Sequence, residues 1–97
     1  MGVLDQMMEI VFKETTEANS YALAIFFALT KNLKEFIHPY LTRIFAIAIE
    51  VDDEHVKNFV DGIVEAFTPP TLVDLAKTHS KSVSNIENFS YFLNKIS

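Results

Sequence analysis

The chain has 97 residues, 49% of them apolar, with 2 Gly and 3 Pro, which fits one packed helical domain and excludes a disordered chain. Its net charge is −5, and Arg43 is the only Arg among 8 basic residues, a poor basis for binding driven by neutralisation of a phosphate backbone. It has no Cys, which excludes disulfides, thiolate metal sites and Cys nucleophiles and fits a reducing compartment.

The N-terminus carries Asp5 and Glu9 with no early Lys or Arg, unlike a secretory signal, so a cytoplasmic location is expected. Val3–Lys13 places Leu4, Met7, Met8 and Val11 at the i, i+3, i+4, i+7 spacing of one helix face. The polar stretch Glu14–Asn19 either breaks that helix or carries it forward exposed. Tyr21–Leu33 is apolar almost all the way round, which suits a central helix or one in an oligomer interface. Pro39 then starts a new helix, Pro39–Glu50, or kinks a longer one; the first is preferred, because Pro fits a first turn and disfavours helical geometry at the residue before it. The run Ile44–Ile49 is again nearly all apolar.

Asp52 or Asp53 is placed to cap Glu54–Phe67, where Val56, Phe59, Val60, Ile63, Val64 and Phe67 form the cleanest amphipathic face in the chain. Gly62 inside this helix is unfavourable by about 1 kcal/mol relative to Ala and suggests close packing with a neighbouring helix. Thr68-Pro69-Pro70-Thr71 ends it and starts a short helix, Thr71–Thr78. Ser80–Ser82 is a polar turn. Ser84 and Glu87 have the spacing of a capping box for a last helix, Asn85–Ile96, with a seam of Ile86, Phe89, Leu93 and Ile96 and Phe92 alongside. The expected fold is all-α, a compact antiparallel bundle of five or six short helices in one domain over 1–97.

Glu50, Asp52, Asp53, Glu54 and His55 are the densest cluster of metal-ligand types, but their spacing matches neither an EF-hand loop nor an H-E-x-x-H helix. A solvated, capped helix start accounts for them. His38 before Pro39 suits a turn, and His79 suits a helix C-terminus, where a cation is favourable. Ser80, Ser82 and Ser84 offer hydroxyls near His79 without a nucleophile-elbow turn. Gly2 and Gly62 are the only glycines, so no phosphate-cradling loop is formed. Phe26, Phe27, Phe36, Tyr40 and Phe45 either line a ligand pocket or fill the core, and core is the expected use. Met7 and Met8 are likewise read as core. No catalytic residue, cofactor or metal site is expected.

The segment FTPPTLVDLAKTHSKSVSNIENFSYFLNKI resembles the last helices of the DnaD-like domains of phage, plasmid and bacterial replication-initiation proteins. Asn88, Phe89, Tyr91, Phe92 and Ile96 carry the likeness, with Phe92 and Ile96 at the family's aromatic-to-Ile spacing. The Trp that follows in the family has no counterpart up to Ser97. The resemblance implies helices that serve oligomerisation and partner or DNA contact.

A positive mean hydropathy is hard to hide inside one small copy, so self-association is expected. The leading expectation is a non-enzymatic interaction module: a homodimer or a complex with another protein, without nucleic acid or membrane, as an accessory factor of a phage or plasmid replication system. Its interface would comprise Tyr21, Leu23, Ile25, Phe26, Phe27, Ile44, Phe45, Ile47 and Ile49. A small-ligand or divalent-metal-binding protein and an immunity-type or inhibitor bundle are the alternatives.

Overall fold

The computed structural model describes residues 2–14 and 20–97, and every regular element among them is helical. The order is α1 (Val3–Glu14), α2 (Ser20–Leu33), a 3-10 helix (Lys34–Tyr40), α3 (Leu41–Ala48), α4 (Val56–Ala66), α5 (Pro69–His79) and α6 (Ile86–Ile96). Of the expected polar break at Glu14–Asn19, Glu14 closes α1 and the rest lies outside the described residues. The all-α bundle is confirmed. Its Cα radius of gyration of 12.4 Å is close to the value of about 12.5 Å expected for a closed globule of this length.

The short, apolar α3 is the centre. Leu41, Ile44, Phe45, Ala48 and Ile49 are buried among α2, the 3-10 helix and α5. The Phe45 ring packs 4.8 Å from Phe92 and 4.9 Å from His79, both tilted. The apolar run Ile44–Ile49 is mostly enclosed by neighbours within one copy, while Thr42, Arg43 and Ala46 form the exposed side of the helix and Ile47 is half-buried. Pro39 does not open α3. It sits inside the 3-10 helix, and α3 begins two residues later. The change of direction is made at Lys34, whose φ of 49° stops α2 in the left-handed region, a conformation that costs about 1 kcal/mol for a residue with a Cβ.

α4 packs on α2 and α6 and buries Val56, Phe59, Val60 and Ile63, as its periodicity predicts. Pro69 and Pro70 belong to α5 rather than preceding it. First-turn amides have no intrahelical acceptor, so two prolines forfeit nothing there. The cap of α6 is Asn85, not Ser84: its Oδ1 accepts from Asn88 N at 3.1 Å. The expected box through Glu87 is replaced by a distant residue. Glu50 Oε1 accepts from Ser84 N (2.9 Å) and Asn85 N (3.1 Å). Asn88 Nδ2 returns the link, donating to Ile49 O (2.9 Å) and Val51 O (2.8 Å) just beyond α3.

α1 attaches through Met8 and Phe12. Phe12 lies 6.1 Å from Phe26 and 6.5 Å from Tyr40, with the Arg43 guanidinium 4.0 Å over its ring. The helix is therefore turned from the expected Leu4/Met7/Met8/Val11 face. Leu4 and Val11 are half-buried, and Met7 faces outward with Val3 and Ile10. A wide apolar arc lets the helix rotate until its largest ring is enclosed.

Candidate interaction surface

The nine-residue interface expected from sequence divides in two. Leu23, Phe26, Ile44, Phe45 and Ile49 are buried in the core of one copy, out of reach of any partner. That corrects the expectation for these residues: their apolar character is used by α3 and its immediate neighbours. Tyr21 (67% exposed) and Phe27 (36% exposed) remain accessible, and Ile25 and Ile47 are half-buried.

On α2 the accessible positions form one strip. Tyr21, Ala24, Ile25 and Ala28 lie on the side opposite the buried Ala22, Leu23, Phe26 and Thr30, with Phe27 at one edge. α2 carries no charge before Lys31. Outward helix faces are ordinarily polar, so an uncharged strip of this length is left unsatisfied by the other described residues.

Beside it a groove runs between α2 and α4. Its larger part, about 700 Å³, has Phe27 and Gly62 at its base, Lys31 and Lys34 on the α2 side, and Asp61 and Glu65 on the α4 side. A smaller part, about 290 Å³, shares Phe27 and Asn58 with it and is bounded by Ser20, Asp53 and His55. Phe27 lies beside the backbone of Gly62, but the space does not require a glycine. A Cβ there would meet Phe27 Cε1 at 3.7 Å and Thr30 Cγ2 at 3.9 Å, ordinary contact distances. The close-packing reason for Gly62 is therefore not upheld.

The walls carry like charges at helical spacing. Asp61 and Glu65 are four residues apart on α4, and like charges so placed disfavour an isolated helix. Asp61 is partly compensated by Lys95 Nζ at 3.5 Å and accepts from Tyr91 Oη at 2.9 Å. The Asp61 carboxylate and the Tyr91 phenol hold the Lys95 ammonium pKa above its usual value. Among the described residues, no ion pair forms to Glu65, Lys31 or Lys34. These four wall residues were missed from sequence, although same-sign pairs spaced three and four apart are a readable signal.

At the small end, Ser20 Oγ donates to Asp53 Oδ2 at 2.6 Å, and Asp53 Oδ1 accepts from His55 N at 2.8 Å and meets His55 Nδ1 at 2.6 Å. The Ser20 hydroxyl, then the His55 amide and imidazole, lower the Asp53 carboxyl pKa to about 2. The groups are joined in the order Ser–Asp–His. A nucleophilic triad needs the hydroxyl on the imidazole, and here its proton is directed to the carboxylate. Chemically the network ties the start of α2 to the turn before α4, and Asp53 rather than Asp52 holds that turn.

The rest of the acidic cluster is dispersed. Glu50 is committed to the α6 cap, and no group of three or more His, Asp or Glu side chains among the described residues is placed to hold a metal ion. His38 is exposed in the 3-10 helix, 6.1 Å from the Phe67 ring. His79 is not a solvated helix-end cation. It is 5% exposed, its Nε2 has no hydrogen-bond partner, and burial lowers its pKa. Ser80 and Ser82 direct their hydroxyls to the carbonyls of Lys77 and His79, both at 3.3 Å. The aromatic set does not converge on a pocket: Phe26 and Phe45 are core, Tyr40 is half-buried, and Phe36 is 67% exposed.

The residues that carry the likeness to DnaD-like domains serve this chain's own packing. Asn88 bridges to the segment just after α3, Phe89 and Phe92 are buried, and Tyr91 reaches α4. No helix among the described residues is long and apolar enough to cross a membrane. The chain matches no protein-family model, no curated protein and no solved structure.

Proposed function

We propose that this protein is a non-enzymatic helical interaction module that works by self-association through the outer face of α2. The observation that carries this reading is the uncharged strip Tyr21–Ala24–Ile25–Ala28, with Phe27 beside it, which the other described residues leave exposed apart from the half-buried Ile25. Covering such a strip removes apolar surface from water at about 25 cal/mol per Å². Its small residues allow a neighbouring backbone to approach closely. The accessory role beside a replication initiator that the DnaD-like resemblance implies is one setting for such a module.

Sedimentation equilibrium of the wild type and of Tyr21→Glu/Phe27→Ser tests the reading. The wild type is expected to associate at micromolar concentrations and the variant to run as a folded monomer. A wild type that stays monomeric into the high micromolar range overturns it.

A further inference from the structure

We infer that the groove between α2 and α4 is a two-fold interface between two copies of this chain, with Lys31 and Lys34 of each copy facing Asp61 and Glu65 of the other. This rests on the self-association reading above and places the contact on the side of α2 that faces α4, where Ala24 of the outer strip and Phe27 at its edge also line the groove, while Tyr21, Ile25 and Ala28 lie outside its lining. The argument starts from the walls. One side of the groove is basic, the other acidic, and the apolar base with Phe27 and Gly62 lies between them. A partner that fits must present an acidic strip opposite Lys31 and Lys34, a basic strip opposite Asp61 and Glu65, and an apolar centre. The chain itself carries that arrangement.

A two-fold axis running along the groove exchanges the two walls and keeps their height along it. It sets α2 of each copy over α4 of the other and brings the two Phe27 rings together at the axis. Such an isologous contact closes on itself at two copies, and every charge pair is made twice. A two-fold across the groove would instead oppose Lys31 and Lys34 to themselves, placing like charges face to face. Lys31, Lys34 and Glu65, which form no ion pair among the described residues, each gain an opposite charge only in the first arrangement. The outer strip of α2 flanks the groove, so the same docking shields Ala24 and the exposed edge of Phe27.

The test is a charge exchange measured by sedimentation velocity at low salt. One variant is Lys31→Glu/Lys34→Glu, the other Glu65→Lys. Asp61 is left intact because it also bonds Tyr91 and Lys95. Each variant alone juxtaposes like charges at both symmetric contacts and is expected to dimerise at least about tenfold more weakly than the wild type. Mixed in equal amounts, the two are expected to form a heterodimer, because each altered wall then meets its opposite. Raising the salt to about 0.5 M should shrink both effects. Circular dichroism checks that each variant is folded, and Ile10→Glu on the outer face of α1 serves as a control expected to dimerise normally.

If the wild type dimerises while both charge variants dimerise equally well, this interface is overturned and the self-association reading stands. If Ile10→Glu alone abolishes the dimer, the contact is on α1 and this interface is again overturned. A wild type that is monomeric at high micromolar concentration overturns both.

Discussion

Asn88 is the residue whose replacement tests most sharply how the two ends of the bundle are joined. Its side-chain amide donates to Ile49 O at 2.9 Å and Val51 O at 2.8 Å. Both partners are carbonyls, so a donor must face them. Asn88→Ala removes two hydrogen bonds, each contributing about 1 kcal/mol net, and leaves two part-buried carbonyls short of a donor. The expected loss is about 2–3 kcal/mol. At roughly 4–8 °C per kcal/mol for a domain of this size, the melting temperature should fall by about 10–20 °C. Asn88→Asp keeps the shape and replaces the donor by an acceptor, so oxygen faces oxygen and the loss should exceed that of Ala. Thermal and urea unfolding followed by circular dichroism, at one fixed protein concentration because association shifts the midpoint, measures both. An Asp variant within about 0.5 kcal/mol of the wild type would refute the bridge.

Other consequences follow from the same geometry. Gly62→Ala should stabilise by about 1 kcal/mol in urea unfolding, since helix propensity improves and the new methyl meets Phe27 at 3.7 Å without a clash; destabilisation would mean that the α2–α4 spacing is tighter. His79 is protonated less readily when folded than the 6.5 of a free imidazole. Below that pH the unfolded chain therefore binds a proton that the folded one resists, so stability should fall as pH drops through 6.5 and hold above it. His79→Phe should flatten that part of the profile, and an unchanged slope would count against a buried neutral imidazole. Phe12→Ala should release α1 rather than unfold the bundle, seen as early proteolysis before Ser20 with α4 amides still protected from hydrogen exchange. Simultaneous loss of both would show that α1 is integral to the core.

The periodic signals were legible where one face was clearly apolar. α4 buries Val56, Phe59, Val60 and Ile63 as its spacing predicts, and the helix boundaries of α1 and α2 agree closely. Rotation was harder to read where the apolar arc is wide. α6 buries Phe89 and Phe92 and turns Ile86 outward, because the ring of Phe92 meets Phe45 in the core. Caps made by distant residues were not legible at all. Glu50 replaces the Glu87 half of a capping box across 34 positions of sequence, and local spacing carries no trace of such a partner. The candidate surface was half legible: the apolar run on α2 pointed to it, whereas the equally apolar run Ile44–Ile49 turned out to be mostly core. Composition alone does not distinguish a central helix from an uncovered one.

The central claim is that one closed copy leaves the α2 face for a second copy, and sedimentation equilibrium of the wild type tests it most directly. Across about 1–500 µM, a range that spans the micromolar dissociation constant expected here, the weight-average mass should rise from the 11.0 kDa of one chain to twice that value and stop there. A mass that stays at 11.0 kDa throughout the range would contradict it.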